Sequence, residues 1–299
     1  MIQNPAVDGL VVAAHGRHYA VELGNGAIIH AYPRAKKSAC ACGDIVEVEP
    51  AGDSQGLIRS VRSRTSTLYR SDRYRQKVIA ANVTQALIVV AGRPAFDENL
   101  LSRCLIACEH QGIKAVVVLN KSDLEAATAE TATRLKLYES LGYPVLRLCA
   151  KQDVSSLNQV LHKQRSVLVG QSGMGKSTII NALIPDALAR TGEISQALDS
   201  GKHTTTSARL YRLDSVSSII DSPGLQTFGL MHLSQAELIA CFHEFAPFTG
   251  KCRFDDCSHT VEPGCALIAA VEESDIDPRR WSAYQELRSE LQEKPPAWA

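Results

Sequence analysis

The chain has 299 residues, 45% hydrophobic and 21% charged, with 32 Lys+Arg against 32 Asp+Glu, so its formal net charge is zero. That length supports a large core and two or three domains, and the balanced charge excludes nucleic-acid binding through a global field. No apolar run approaches the roughly 18 residues of a membrane span, and the first residues lack a basic-then-apolar export pattern. A soluble cytoplasmic protein with no membrane partner is therefore expected. Of the nine cysteines, Cys40, Cys104, Cys108, Cys149 and Cys241 sit in apolar or small-residue stretches and read as buried thiols rather than a disulfide framework.

The first sixty or so residues read as short strands at 10–14, 19–23, 27–31, 45–49 and 57–61, separated by turn chemistry such as Gly24-Asn25-Gly26. Five strands suggest a small barrel, either of the oligonucleotide-binding type or another small β barrel. Positions 59 to 77 then carry seven basic residues, Arg59, Arg62, Arg64, Arg70, Arg73, Arg75 and Lys77, against Asp72 alone, with Tyr69 and Tyr74 among them. The segment is either an RNA-contacting stripe or a solvated linker.

From Ala86 the texture changes to apolar strands (86–91, 115–119, 144–148, 166–169, 217–220) alternating with helical patterns (100–110, 129–141, 178–183), the signature of a parallel sheet covered on both faces. A third unit starts near Ser234, where Ser234-Gln235-Ala236-Glu237 forms a capping-box pattern ahead of Leu238, Cys241, Phe242 and Phe245. Asp277-Pro278 opens a last helix with Trp281, Tyr284, Leu287 and Leu291 on one side, a stripe that reads as core packing.

Chemistry concentrates at a few loops. Gly170-Gln171-Ser172-Gly173-Met174-Gly175-Lys176-Ser177 lies between an apolar strand and a helix, where glycines let backbone N–H groups close around phosphates. There Lys176 would reach the terminal phosphates and Ser177 would ligate Mg²⁺. Asn120-Lys121-Ser122-Asp123 ends the strand 115–119 and suits base recognition, because the Asp123 carboxylate can accept from both guanine donors, whereas adenine offers no such pair. Cys149-Ala150-Lys151 would flank the base from the other side. Asp221-Ser222-Pro223-Gly224 follows another strand, so Asp221 can hold Mg²⁺ through water and the Gly224 N–H can sense the γ-phosphate. Hydroxyls of 201–206, Thr205 among them, offer a second switch contact. Leu225 stands where Ras-type enzymes carry a water-orienting glutamine. His203 is the nearest substitute, or else a contact to RNA or a partner.

The base-reading motif here precedes the phosphate loop, the reverse of the usual order in a GTP-binding domain. A chain cut at one surface loop and rejoined at another can rebuild the same pocket. Toward the C-terminus, Cys252, Cys257, His259 and Cys265 fall within fourteen residues and match a closed Cys3His zinc site.

These motifs, with Lys202-His203-Thr204-Thr205-Thr206 and the phosphate loop extended to Thr178, resemble the circularly permuted small-ribosomal-subunit biogenesis GTPases known as RsgA or YjeQ. The resemblance implies an N-terminal oligonucleotide-binding barrel (1–66), a permuted P-loop GTPase α/β domain (67–232) and a C-terminal helical zinc-binding module (233–299). It implies GTP or GDP with Mg²⁺ and one structural Zn²⁺ as cofactors, and the small ribosomal subunit and its rRNA as partners of a monomer that leaves after hydrolysis. Cys149 and Met174 depart from the family's usual serine and valine. Two other readings stay in view: an RNA-binding protein with a vestigial pocket, and a P-loop ATPase or kinase.

Overall fold

In the computed structural model, the described residues are 5–16, 18–34, 40–52, 54–71, 76–185, 208–222 and 230–293. His203, Thr205, Gly224 and Leu225 therefore lie outside the described residues, as do Arg73, Tyr74 and Arg75.

Alternating burial organises the first segment. Strands β1 (Val7–His15), β2 (His18–Leu23), β3 (Ile28–Pro33), β4 (Ile45–Ala51) and β5 (Gln55–Val61) pair in the order β1-β2-β3-β5-β4, and β4 closes on β1. Val11, Val21, Ile29, Ala31, Val46, Val48 and Ile58 point into one interior, each at most 2% exposed. A Cβ on Gly56 would meet Ile29 Cδ1 at 2.7 Å and Val48 Cγ2 at 2.8 Å, so the barrel is filled by side chains and holds no channel there. This closed five-strand barrel is the expected oligonucleotide-binding type.

The basic segment divides in a way the sequence did not announce. Arg59 pairs with Glu49 on the neighbouring strand (2.7 Å) and Arg62 with Asp8 (2.8 Å). Arg64 forks onto Asp44, a fully buried carboxylate that also accepts the Ala41 N–H at 2.7 Å. Three of the seven cations are thus matched to carboxylates of the barrel. The chain then forms an antiparallel hairpin, β6 (Thr67–Ser71) and β7 (Gln76–Ala81), where only a stripe or linker was expected.

The second body follows as β8 (Gln85–Ala91), α1 (Glu98–Gln111), β9 (Lys114–Asn120), α2 (Glu125–Ser140), β10 (Val145–Arg147), α3 (Ser156–Leu161), β11 (Arg165–Val169), α4 (Lys176–Leu183), β12 (Arg209–Arg212) and β13 (Ser218–Asp221). Its strand order is β10-β9-β8-β11-β13-β12, parallel except for the edge strand β12. Central β8 is buried along its whole length, as a strand covered on both faces should be. Through the pair Ala13–Arg209, β12 joins β1, so barrel and parallel sheet share one continuous hydrogen-bonded ladder.

The C-terminal unit comprises α5 (Gln235–Ala240), a 3₁₀ turn (His243–Phe245), α6 (Ala266–Glu272) and α7 (Pro278–Gln292). The capping box forms: Ser234 Oγ accepts the Glu237 N–H and Glu237 returns to the Ser234 N–H. Leu238, Cys241, Phe242 and Phe245 are all buried, but not on one continuous helix. The chain leaves the helix at Phe242 (φ −93°, ψ 81°) and resumes as the 3₁₀ turn, which stacks Phe242 on Phe245 at 4.8 Å. Asp277 caps α7 with Pro278 in its first turn. Among the described residues no helix is long and apolar enough to cross a membrane.

Candidate functional site

The carboxyl ends of β8, β9, β11 and β13 lie side by side in the sheet, the place where open α/β sheets bind ligands. The loop after β11 turns through three glycines of positive φ: Gly170 (141°), Gly173 (81°) and Gly175 (95°). Two of them also sit too close to neighbours for any side chain. A Cβ on Gly170 would lie 2.4 Å from the Val89 carbonyl oxygen, and one on Gly175 would lie 2.3 Å from Asn120 Nδ2. Met174 points the other way and is fully buried in the sheet core, which explains how this position accepts an apolar side chain other than valine. Gln171, Ser172, Ser177 and Thr178 stay on the accessible side of the loop.

Asn120 is the tie among these loops. Its Nδ2 donates to the Met174 carbonyl at 2.9 Å and its Oδ1 accepts the Ala150 N–H at 3.0 Å, with the side chain 2% exposed. One buried amide therefore fixes the phosphate loop, the end of β9 and the 149–151 loop to each other. Lys121 holds left-handed backbone (φ 62°) and donates from Nζ to the Arg93 carbonyl at 2.8 Å. Asp123 is exposed, and the Cys149 thiol donates to its Oδ1 at 3.2 Å. Ser122 anchors the turn through its N–H to the Leu148 carbonyl.

Lys176 opens α4 almost buried, 8% exposed, and donates to the carbonyls of Gly170 (2.7 Å) and Gln171 (2.9 Å). Burial lowers its pKa, opposed by the charge of Asp221. Asp221, at the end of β13, is pushed up to about 6 by burial, against the pull of Lys176. Beside it the Ser222 hydroxyl donates to the Leu168 carbonyl at 2.7 Å, tying this loop to β11. Lysine and aspartate thus share one desolvated cleft, each limiting the cost of burying the other. The sequence pointed to these side chains but not to Arg93-Pro94, whose carbonyl and ring brace Lys121 and approach Gly173, because a Gly-Arg-Pro turn carries no chemical signature of its own.

A second cluster lies apart from the first. Cys252 Sγ is 3.5 Å from His259 Nδ1 and 3.9 Å from Cys265 Sγ, His259 Nδ1 is 3.4 Å from Cys265 Sγ, and with Cys257 all four ligand atoms lie within 4.8 Å of one another. Tetrahedral Zn²⁺, with bonds of about 2.3 Å to sulfur and 2.0–2.1 Å to nitrogen, needs ligand atoms about 3.6–3.8 Å apart. The donor set and its spacing fit, so the cluster could hold a zinc ion. Gly264 (φ 81°) passes so close to Arg253 that a Cβ there would lie 2.9 Å from the Arg253 Cβ. His243, on the 3₁₀ turn, faces the parallel-sheet body, with Nε2 2.9 Å from the Leu141 carbonyl and its ring against Tyr143.

Comparison with known proteins agrees with this geometry. The RsgA GTPase family profile matches residues 61–231. The small ribosomal subunit biogenesis GTPase RsgA of Nitrosospira multiformis is 49% identical over 97% of this chain and 93% of its own, and that of Nitrosomonas europaea 48% over 97% and 94%. Among solved structures, YjeQ from Thermotoga maritima superposes with a TM-score of 0.73 at 28% identity, covering 97% of this chain and all of its own. YloQ, described as a circularly permuted GTPase, reaches 0.69 at 25% identity, over 99% and 98% of the two chains. Matched along almost its whole length, the chain belongs to the RsgA family of circularly permuted GTPases.

Proposed function

We propose that this protein hydrolyses GTP during biogenesis of the small ribosomal subunit, as the names of its relatives state for them, acting as a cytoplasmic monomer that binds the subunit and its rRNA. The observation that carries the catalytic part is the Asn120 amide bridging Met174 and Ala150, because it makes one pocket out of motifs that the chain delivers in reversed order. In this reading Asp123 accepts both guanine donors, and Lys121, Ser122 and the Ala150 loop frame the base. The N–H groups of Gly170 to Thr178 cradle the phosphates, and Lys176 leaves its loop carbonyls to meet the terminal ones. Ser177 and Asp221 would hold Mg²⁺, which when bound neutralises charge on the phosphate oxygens.

Thr205, Gly224 and His203 complete the proposal from the sequence, with His203 orienting the attacking water in place of the glutamine that Leu225 replaces. Cys252, Cys257, His259 and Cys265 hold one structural zinc. The three units are 1–66, 67–232 and 233–299. A titration with labelled GDP and ADP, followed by GTP turnover with and without purified small subunits, tests the whole. GDP should bind far more tightly and subunits should raise turnover. Equal affinity for ADP would overturn the base assignment, and turnover indifferent to subunits would overturn the ribosomal one.

A further inference from the structure

The nucleotide elements occupy the carboxyl ends of the parallel strands, but the amino ends are also built around charge. Before β8, β11 and β13 a cleft of about 520 Å³ opens between the sheet and the segment that leaves the barrel. That volume lies within the roughly 300–1,000 Å³ range of ligand clefts. Lys163, Arg165 and Arg212 line it together with the hydroxyls of Ser63, Thr65 and Ser215, and its lining includes no aspartate or glutamate among the described residues.

The two arginines are held rather than loose. Arg212 is kept in place by Glu22 at 2.8 Å, and Arg165 donates to the Gly43 carbonyl at 3.3 Å. Burial, and then the charge of Arg212, lower the pKa of Arg165, so the protein keeps two guanidinium groups close enough to oppose each other. The nearest turn carboxylate, Asp214, is directed to the N–H groups of Val216 and Ser217, both at 2.7 Å. Two lining residues other than glycine also hold left-handed backbone. Lys163 (φ 56°) donates its N–H to Ser217 Oγ at 2.9 Å, and Asn82 (φ 55°) bonds Thr65 and Gly43. Backbone of this kind persists where surrounding structure enforces it, and such positions cluster at binding sites.

We propose that this cleft binds the sugar-phosphate backbone of an RNA strand, its phosphates shared among Lys163, Arg165 and Arg212. The Ser63, Thr65 and Ser215 hydroxyls then meet phosphate or ribose oxygens, and Val216, 56% exposed, lies against a ribose or base face. Three cations drawn from separate segments around one open cleft match a chain of singly charged phosphodiesters, whereas the phosphate loop gathers its donors on one compact polyphosphate. Because the cleft touches both the barrel's exit segment and the amino ends of the sheet, RNA seated there would bridge the two bodies. The ribosomal reading enters only in saying where such RNA comes from.

The test is binding of a short fluorescein-labelled oligouridylate to the full chain across a salt series. Lys163→Asn removes charge with a residue that tolerates left-handed backbone, and Arg212→Gln acts on a half-exposed side chain. Together they should lower affinity about 10-fold and reduce the salt slope by about 1.4, the share of two single-strand phosphate contacts, with GDP affinity unchanged. Each single variant should show about half that slope change, which decides the matter should the double variant fail to fold. Wild-type affinity and slope in these variants would overturn the proposal. So would a site that loses UMP or inorganic phosphate in the variants while oligouridylate binding stays intact, since that marks a small-anion site. Sedimentation with small subunits keeps the two readings apart: failure of the wild type to bind subunits sinks the ribosomal reading alone, whereas variants that match the wild type for both RNA and subunits sink the cleft alone.

Discussion

The nucleotide pocket and the Cys3His cluster are ordered by opposite means. The pocket draws residues from positions 93 to 222, but they stand on strands whose centres, such as Val117, Val118, Leu119 and Leu168, are fully buried, and they are tied by buried amide and hydroxyl bonds. The four ligands of the cluster fall within fourteen residues of a loop whose neighbours Lys251, Arg253, Phe254, Asp255 and Asp256 are exposed, with Val261 at 87%. A core preorganises the first site, whereas the loop of the second is tied locally, chiefly by the Glu262 carboxylate accepting from Ser258, Thr260 and Val261, so a zinc ion on its four ligands would supply much of its order. Losing a group from the pocket should therefore cost binding and spare the fold, and losing a ligand from the cluster should cost the fold.

The largest expected effect is on the cluster. Zinc in small structural sites contributes about 10–16 kcal/mol of apparent binding and folding free energy near neutral pH. Cys257→Ser should reduce zinc from one per chain to background and leave the amides between 246 and 265 exchanging freely, with GDP affinity unchanged. Metal analysis and hydrogen exchange read both. A loop that stays protected without zinc would break the contrast.

Inside the same unit the helices behave like the pocket. Arg280 is 1% exposed, donates from Nε to Glu244 Oε1 at 2.5 Å, and lies 4.6 Å over the Phe242 ring, while both its terminal nitrogens and Glu244 Oε2 find no hydrogen-bond partner among the described residues. Such a pair adds little net stability while intact, but removing one member leaves a buried charge uncompensated, at about 3–5 kcal/mol. Glu244→Ala should lower stability by that amount in a denaturant titration while zinc content stays at one. Nearby, α7 is held to α1 by Arg103 with Glu290 and Glu286 and by Arg279 with Glu98, so the helices should stay docked when only the metal is lost.

In the pocket, Asp123→Asn should leave the unfolding midpoint in place, because the side chain is exposed, and weaken GDP binding about 10²-fold by replacing one acceptor with a donor against the guanine amine. Xanthine nucleotides should gain correspondingly. Unchanged GDP affinity would remove Asp123 from base recognition.

The same contrast explains what was legible beforehand. The phosphate loop, the base motif and the metal ligands are local patterns whose chemistry needs fixed spacing, so they stand in the sequence. The barrel was open to another small barrel until the parallel β3–β5 pairing and the β4–β1 closure distinguished it. Partners distant in sequence were not legible: Arg62 meets Asp8 and Arg64 meets Asp44, which with Arg59 on Glu49 turns three of the seven cations of an apparent basic stripe into barrel ion pairs. The hairpin β6–β7 was hidden by its charged residues, and the short edge strand β12 by its length. The helix expected from the stripe at Leu238 to Phe245 ends early because burial follows the stripe while the backbone turns at Phe242 (φ −93°, ψ 81°) to stack its ring on Phe245.

The finest test of preorganisation concerns Cys149, where the resemblance drawn from the sequence leads one to expect serine. Its side chain is buried and donates to Asp123 Oδ1 at 3.2 Å, so it aims the carboxylate proposed to read the base. A thiol is a weak donor, and an ordinary neutral hydrogen bond contributes about 0.5–1.5 kcal/mol, so the lower part of that range is the expected size. Cys149→Ala should weaken GDP binding about 2- to 4-fold through a less ordered Asp123, and Cys149→Ser should match or slightly exceed the wild type. Because the effect acts through Asp123, it should vanish in the Asp123→Asn background, which a double-mutant cycle by GDP titration isolates from any general packing loss. A Cys149→Ala effect of equal size in both backgrounds would mean that the thiol only fills space, and that the carboxylate is positioned by the turn from Asn120 to Leu124 alone.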